Sequence, residues 1–516
     1  MKNYIKYISI LSLALVACEP EFDNEVTGTP APQSSGEANF STYVALGNSL
    51  TAGFADQTLY IDGQKVAFPV LIAEQMKAAG GGEFTVPFMA DNVGGFPNIP
   101  ERDPLTCDPI PGTLLAPPRL VFNLQTGLPE TIEGESSAKS LERLEGTFNN
   151  MGVPGARSFH LVTPGYGTLN PFFGRFASSD ETTVIADALA QQPTFFSLWI
   201  GNNDILGYAT NGGIGTNQQG NRDAASYKPA DLSDTQLVSD IYGQLIQNLT
   251  ANGAKGLLMN IPDVQTLPFF TRIPNNALVL DAEQAANLTG FFRAYTAIVS
   301  GGAQLMGTPQ AQADALASQY AFTFNPGPNR FIVSTPTTLT NPMGIRQISE
   351  DELILLTIDQ NALRTEFYGS VAATPEVVTI LGKLATGGLP TAAESATIFN
   401  AVKPIENKDY LSNSEIAEIE TATTAINTSI KAIADANDLA FYDANARLKV
   451  LSTTGVNVNG SIVTSAIGNF FSLDGVHLSP RGNAVIANEM METINAKYGS
   501  TLQPVASGAF PTVRLK

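Results

Sequence analysis

Strand-like and helical segments alternate along most of this chain, and no other feature of the sequence limits the fold so strongly. In chain order, the predicted strands are 42–47, 193–201, 255–261 and 439–444, and the predicted helices are 68–82, 182–192, 233–253, 412–438 and a last one beginning at Ser479-Pro480. Such alternation predicts parallel βαβ units in an α/β fold with a doubly wound parallel sheet. In sheets of this kind the chemistry collects at the carboxyl ends of the strands.

The N-terminus has the pattern of a bacterial export signal. Its apolar run, 7–17, follows two lysines and is too short to cross a bilayer as a permanent helix. The run ends in Leu-Val-Ala-Cys, which resembles the lipobox of bacterial lipoproteins and implies that Cys18 is lipidated and becomes the first residue. An ordinary signal peptide that contains a cysteine is the alternative. We therefore expect a signal peptide at 1–17 and, in the Pro-, Gly- and Ser-rich stretch that follows, a flexible tether at 18–40.

The net charge and the composition exclude some classes of partner and site, and the residues after Cys18 indicate a location. The formal net charge of -20 argues against nucleic acid as a partner. Two cysteines do not suggest a disulfide framework, and two histidines are too few for a zinc cluster. The acidic residues directly after Cys18 resemble the surface-export signal of lipoproteins in some Gram-negative lineages. The expected location is the cell envelope, as an outer-membrane lipoprotein held by its lipid and exposed at the surface.

Four short polar segments lie at or near the ends of predicted elements. They are Gly-Asn-Ser-Leu at 47–50, Asn-Met-Gly-Val-Pro-Gly-Ala at 150–156, Gly-Asn-Asn-Asp at 201–204 and Asp-Gly-Val-His at 474–477. Each has an ordinary structural interpretation when taken alone. A serine in a turn is usually a turn residue, a Gly-Asn-Asn-Asp tetrapeptide is usually a loop, and a single histidine is more often structural than catalytic.

Taken together and in this order, the four segments resemble the sequence blocks of the SGNH/GDSL hydrolases, a family of serine esterases and lipases. The resemblance implies a flavodoxin-like three-layer α/β/α sandwich and catalysis without metal or cofactor. It also implies that Ser49 is the nucleophile, that His477 is its base and that Asp474 orients the base. The oxyanion hole implied by the family is formed by the backbone amides of Ser49 and Gly155 and by the side chain of Asn203.

The chemistry of ester hydrolysis calls for the same residue types. A serine hydroxyl is a weak nucleophile at neutral pH, so it needs a base within hydrogen-bonding reach and a third group that holds the base. One residue departs from the family pattern, because Asn48 stands where an aspartate is usual beside the nucleophile. Asparagine keeps an acceptor oxygen of similar shape, so we expect it to organise the same local hydrogen bonds. We interpret the other histidine, His160, as structural.

The resemblance does not extend over the whole chain. We expect a hydrolase domain at 41–500 and a C-terminal tail at 501–516, with two insertions, at about 54–147 and 269–411, that are longer than the connections of a compact α/β domain. The second insertion contains both helical and strand-like pieces and is expected to fold as a cap or subdomain. Both insertions leave the domain near the strand ends, so they are placed to shape a substrate pocket, and a purely structural role is equally open.

The sequence thus predicts a lipid-anchored serine esterase or lipase that hydrolyses acyl esters. The segment Asn-Ile-Pro-Asp at 260–263 resembles an Asn-x-Pro-Asp segment of lipolytic members of the family and favours a small-molecule or lipid ester as substrate. One alternative is a carbohydrate O-deacylase of the same family. The other is a surface lipoprotein that binds a ligand on an inherited fold without catalysis.

Overall fold

A five-stranded parallel sheet is the centre of the molecule. The computed structural model describes residues 33–139, 142–458 and 460–516; the predicted signal peptide, Cys18 and the tether up to residue 32 lie outside these ranges. The strands are β1 (Tyr43–Gly47), β2 (Asn150–Gly152), β3 (Phe195–Trp199), β4 (Lys255–Met259) and β5 (Ala440–Tyr442). They pair in the order β2-β1-β3-β4-β5, and every pairing is parallel. The predicted mixed α/β fold with a parallel sheet is confirmed.

Burial explains why the central strands are continuous apolar runs in the sequence. Every residue of β1 and of β3 is buried, as expected for strands of a parallel sheet that is covered by helices. The polar groups inside are paired, because the hydroxyl groups of Tyr43 and Ser197 lie 2.8 Å apart across these two strands. Neither hydroxyl group is therefore left without a partner inside the sheet.

Strand β2 was not predicted, since its sequence Asn-Met-Gly reads as part of a turn. It pairs in parallel with residues 45–47 of β1. Gly152 is required there, because a Cβ atom at this position would lie 2.3 Å from the backbone nitrogen of Ala52. Close packing, rather than strand propensity, decides the conformation of this segment.

Helices follow the strands and cover the sheet. In the described part of the chain, the helices of seven or more residues are α1 (Phe68–Ala78), α2 (Val184–Ala190), α3 (Asn202–Ala209), α4 (Thr235–Thr250), α5 (Ala282–Leu305), α6 (Gln310–Ser318), α7 (Pro375–Ala385), α8 (Ala392–Ala401), α9 (Asn413–Ala436), α10 (Ala444–Thr453) and α11 (Pro480–Tyr498). Helix α1 packs on α11 and helix α4 packs on α9, while α9 and α11 both contact β5. The sheet therefore has helical partners from widely separated parts of the chain.

Capping residues set the ends of the long helices. The Ser479 hydroxyl accepts the Gly482 N–H at 3.0 Å and Pro480 opens α11, as predicted. Ser412 and Glu415 form the predicted capping box of α9. The buried face of α4 differs slightly from the prediction, since Val238 and Tyr242 are buried where Leu237 and Ile241 are only half-buried.

Shorter elements connect these helices and strands. Helical turns lie at Ser49–Ala52, Ile61–Lys65, Tyr166–Leu169, Pro171–Gly174, Pro268–Thr271 and Gln360–Thr365, and 3₁₀ turns at Ser158–Val162, Ala224–Ser226, Val264–Thr266, Asn407–Asp409 and Ser507–Ala509. Antiparallel two-stranded pairs join Leu120–Asn123 to Leu128–Thr131, Leu278–Leu280 to Gly327–Asn329, Ile332–Ser334 to Ile345–Gln347, Leu353–Ile354 to Tyr410–Leu411, Ser370–Val371 to Val402–Lys403, and Val456–Val458 to Ser461–Val463. Most of these pairs lie within the two predicted insertions.

The second insertion has a hydrophobic core of its own. Helices α5 to α8 enclose a cluster of buried apolar side chains that is separate from the cluster around the sheet. Phe292 lies at its centre, fully buried, with its ring against those of Tyr295, Phe322 and Phe324. This stretch therefore packs around apolar residues of its own, and its role as a cap or subdomain stays a prediction.

Replacement of Phe292 by alanine should destabilise this second core by about 3–5 kcal/mol, because the lost aromatic side chain leaves a cavity. Trp199 is the only tryptophan and lies in β3, so its fluorescence reports on the sheet alone. In urea titrations we expect Phe292→Ala to move the circular dichroism transition much more than the Trp199 transition. Phe196→Ala, in β3, is the matched control and should move both. Equal displacement of both signals by Phe292→Ala would contradict separate cores.

Candidate active site

The predicted site residues gather at the carboxyl edge of the sheet. Ser49 follows the end of β1 by two residues and is the first residue of the helical turn Ser49–Ala52. Asn203 lies in the first turn of α3, which begins three residues after β3 ends. His477 precedes α11 by three residues. Three separate connections of the chain therefore supply the polar side chains of one site.

A chain of hydrogen bonds joins Asp474, His477 and Ser49. Nε2 of His477 lies 2.8 Å from Oγ of Ser49, and Nδ1 of His477 lies 3.0 Å from Oδ2 of Asp474. An ionised carboxylate only accepts hydrogen bonds, so Nδ1 carries the imidazole proton and Nε2 accepts from the Ser49 hydroxyl. This arrangement has the geometry that a serine nucleophile and its base require.

Asp474 is held in its ionised form. Burial by itself raises the pKa of this carboxyl, but the interaction with His477 and the hydrogen bonds that the carboxyl accepts outweigh burial and hold the pKa well below its usual range. Oδ1 accepts the backbone N–H groups of Val476 and His477 at 2.9 and 2.8 Å. Oδ2 accepts the Gln57 N–H at 3.0 Å in addition to the imidazole. The carboxylate can therefore orient His477 without taking up its proton.

The three predicted oxyanion donors lie on neighbouring segments. The Ser49 N–H is at the first position of its helical turn, where backbone N–H groups have no partner within the helix. Gly155 has φ +78, and its residue is exposed. The Asn203 side-chain amide donates to the Ala156 carbonyl at 2.8 Å, and the Val153 N–H donates to the Gly47 carbonyl at 3.0 Å. These two bonds hold the Gly155 loop between the Ser49 turn and Asn203.

The surroundings of Asn48 suit an amide side chain. Its side-chain oxygen accepts the Leu50 N–H at 3.0 Å, and its side-chain amide donates to Oδ1 of Asn202 at 3.1 Å. Asn48 is buried, so an aspartate would bring a buried charge against the oxygen of Asn202 in this arrangement. The predicted organising role of Asn48 is therefore filled by an amide that both accepts and donates.

An apolar cleft opens beside Ser49 and His477. Apart from three asparagines, Ser49 and His477, every residue of its wall is apolar: Leu50, Trp199, Ile205, Leu206, Ile261, Pro262, Val264, Leu267, Leu448, Phe471, Val476, Leu478 and Ile486. Such a wall suits a hydrocarbon chain, and the few polar groups lie at and beside Ser49 and His477.

Two polar contributors to the site were not foreseen from the sequence. Asp204 is fully buried and accepts both the N–H and the hydroxyl group of Ser158, at 2.7 and 3.0 Å, so it ties α3 to the segment that follows Gly155. Gln57 contacts Asp474 through its backbone, as described above. A backbone hydrogen bond leaves no signal in the residue type, so the sequence could not identify Gln57. Asp204 belongs to the Gly-Asn-Asn-Asp segment at 201–204, but no role was predicted for it from the sequence.

Two further findings concern metals and membranes. No three His, Cys, Asp or Glu side chains in the described ranges lie close enough together to hold a metal ion. Of the helices in residues 33–139, 142–458 and 460–516, none combines the length and apolar character that a membrane span needs.

His160 is placed as a structural residue. Its ring stacks on the ring of Tyr166 at 4.3 Å, and its Nδ1 accepts the Arg157 N–H at 3.0 Å. Burial and the nearby charge of Arg157 lower the pKa of His160 to about 3. The imidazole therefore stays neutral at physiological pH.

Because the pKa of His160 is lowered on folding, only the unfolded chain gains a proton there as the pH falls below 6.5. The folded state should therefore lose about 1–2 kcal/mol between pH 7 and pH 5 from this residue alone. Replacement by glutamine, which keeps an acceptor for Arg157 and does not titrate, should remove that part of the pH dependence. Urea unfolding of the parent and of His160→Gln at both pH values measures it. Equal losses in the two proteins would contradict the buried neutral imidazole.

Comparisons with models of protein families, with curated proteins and with solved structures found no match for this chain. The case for its chemistry therefore depends on the geometry of the site.

Proposed function

We propose that this protein is a serine-dependent carboxylic ester hydrolase of the SGNH/GDSL type. The observation that carries the proposal is the hydrogen-bonded chain from Asp474 through His477 to Ser49, with distances of 3.0 and 2.8 Å. It lies at the carboxyl edge of a parallel sheet, beside an apolar cleft. A serine that is only a turn residue has no need of an oriented imidazole.

The proposed reaction proceeds through an acyl-enzyme. The Ser49 oxygen attacks the ester carbonyl carbon while Nε2 of His477 takes the hydroxyl proton, and Asp474 stabilises the resulting imidazolium. The negative oxygen of the tetrahedral intermediate accepts hydrogen bonds from the Ser49 and Gly155 amides and from Asn203. Collapse expels the alcohol, which takes the proton from His477. Water then cleaves the acyl-serine by the same route, and the chemistry calls for no metal or cofactor.

Strand order supports the family and the fold proposed with it. The order β2-β1-β3-β4-β5 is that of flavodoxin-like doubly wound sheets, in which ligands bind at the point where the strand order reverses. Here that point lies between β1 and β3, and Ser49 and Asn203 follow these two strands. A three-layer sandwich with the oxyanion hole at this crevice is the arrangement that we propose.

The cleft favours an acyl or lipid ester over a small polar acyl group. Its wall is almost wholly apolar, so burial of each further methylene of an acyl chain contributes about 0.8 kcal/mol. A carbohydrate O-deacylase would need polar groups around the alcohol half of the ester instead. The apolar lining is the reason that we place the acyl chain, and not a sugar, in the cleft.

The proposed lipid anchor and the site lie at opposite ends of the domain. The Glu37 N–H donates to the Tyr498 carbonyl at 2.8 Å, so the last part of the proposed tether at 18–40 is bound at the C-terminal end of α11. His477 lies just before the other end, and this helix of 19 residues is about 28 Å long. We propose an outer-membrane lipoprotein whose cleft faces away from the anchoring bilayer, towards esters that arrive from outside.

Replacement of Ser49 by alanine should lower turnover of p-nitrophenyl butyrate by about 10⁴-fold or more, with the fold intact. His477→Ala should lose as much, and the double variant should be scarcely worse, because members of a catalytic unit are not additive. A fluorophosphonate should label the parent at Ser49 and leave Ser49→Ala unlabelled.

His160→Gln is the matched control and should keep parental turnover, since its ring lies outside the hydrogen-bonded chain of the site. Full activity of His477→Ala, or labelling at another serine, would overturn the assignment. A parent that neither hydrolyses the ester nor reacts with the fluorophosphonate would be a ligand-binding lipoprotein instead.

The anchor is tested at Cys18. In cells fed a labelled fatty acid, the parent should carry the label and partition into detergent, because acyl chains supply the membrane affinity. Cys18→Ala should lose the label, whereas Cys107→Ala, which removes the only other cysteine, should keep it. A labelled Cys18→Ala protein would refute lipidation at this residue.

A further inference from the structure

A strained tight turn begins the first insertion. The Ala55 N–H donates to the Thr58 carbonyl at 3.0 Å, and the Thr58 N–H donates to the Ala55 carbonyl at 3.1 Å. Between them Asp56 and Gln57 have φ values of 52 and 65. Two consecutive left-handed residues define a type I′ turn, which normally has Asn-Gly or Asp-Gly at its centre. A side chain as large as glutamine is disfavoured there, so the surrounding contacts must hold the turn.

Those contacts are with the loop that carries Asp474 and His477. The Asp56 carboxylate accepts the Leu473 N–H at 3.0 Å, and the Asp56 N–H donates to the Ser472 hydroxyl at 3.1 Å. The Gln57 N–H donates at 3.0 Å to Oδ2 of Asp474, the same oxygen that accepts the imidazole proton. Three consecutive loop residues are therefore bound by two consecutive turn residues.

The Asp56 carboxylate is buried at some cost. Its exposed fraction is 3 %, and desolvation raises its pKa to about 6, despite the hydrogen bond from the Leu473 N–H. Its second oxygen accepts the Tyr60 hydroxyl at 2.8 Å, and the Arg119 guanidinium lies 4.5 Å from the centre of the Tyr60 ring. The charge of Asp474 also raises the pKa of Asp56, so the charged and titratable groups that face this carboxyl are Tyr60, Arg119 and Asp474. An alanine would avoid the cost of burial and would also lose the contact to the loop.

We propose that Asp56 is a positioning residue that holds the 472–477 loop so that Asp474 and His477 face Ser49. The inference rests on the proposed function and adds to it a role for the first insertion. Within the described chain, Gln57 is the only residue outside the loop whose hydrogen bond reaches the Asp474 carboxylate. Asp56 fixes the position of that Gln57 N–H, because the two residues are adjacent in a turn with little freedom.

Asp56→Ala should lower kcat about 10–100-fold and change KM by a smaller factor, since Asp56 does not line the cleft and only Val476 and His477 of the loop do. Asp56→Asn keeps an acceptor for Leu473 and a polar partner for Tyr60, so it should restore kcat to within about threefold of the parent. Asp409 is the matched control, because it is also a buried aspartate that accepts a tyrosine hydroxyl, that of Tyr368 at 2.6 Å. Asp409→Ala should leave kcat unchanged.

A second readout does not depend on activity. The chain has only two histidines, so ¹⁵N labelling of histidine gives two rings, and His477→Ala assigns them. The Nδ1–H resonance of His477 should be observed in the parent, in Asp56→Asn and in Asp409→Ala, and should be lost by exchange in Asp56→Ala. An unchanged His477 resonance and unchanged kcat in a folded Asp56→Ala protein would overturn the proposal. If the parent lacks esterase activity but the resonance responds as described, the proposed function fails and the positioning role stands.

Discussion

The hydrogen bond between His477 and Ser49 joins segments from near the two ends of the described chain. The two residues are 428 positions apart in the chain, and the bond forms only because β1 and the start of α11 meet at one edge of the sheet. Parallel pairing makes this possible, since it brings the carboxyl ends of β1 and β3 to the same side. A displacement of 1 Å at this bond would separate the proposed nucleophile from its proposed base, so the rest of the fold can be understood as support for this contact.

Burial strengthens the hydrogen bonds between Asp474, His477 and Ser49, and it also raises the free-energy cost of any polar atom left unpaired there. The side chains of His477 and Asp474 are only 15 % and 13 % exposed, and the Phe54 ring lies 4.6 Å from the imidazole. Hydrogen bonds are stronger in such surroundings, but a carboxylate there must be fully paired. Asp474 meets this condition with three backbone N–H groups and one imidazole N–H, and none of its partners carries a permanent charge.

Sequence patterns predicted the strands and helix starts that carry a clear local signal. Apolar runs located β1, β3, β4 and β5, and capping residues located the starts of α9 and α11. Strand β2 was missed because three residues with an asparagine and a glycine carry no strand signal, and its pairing comes from close packing on β1. Ser49, Asp474 and His477 were predicted as site residues from the resemblance of their segments to the SGNH/GDSL sequence blocks, and the structure brings the three side chains within hydrogen-bonding distance. The contribution of Gln57 could not be found in this way, since any residue can donate a backbone N–H.

Both predicted insertions form hydrogen bonds with the 472–477 loop. The 472–477 loop follows a region with little regular structure, and its internal bonds alone, such as the Ser472 N–H to the His477 carbonyl at 2.8 Å, do not fix it relative to the sheet. The first insertion binds it through Asp56 and Gln57. The segment that begins the second insertion binds it too, because the Phe269 N–H donates to the Gly475 carbonyl at 3.1 Å. Long additions to the domain thus do more than border a cleft. They bind, from two directions, the one loop that carries Asp474 and His477, and segments remote in sequence are therefore packed at the same point.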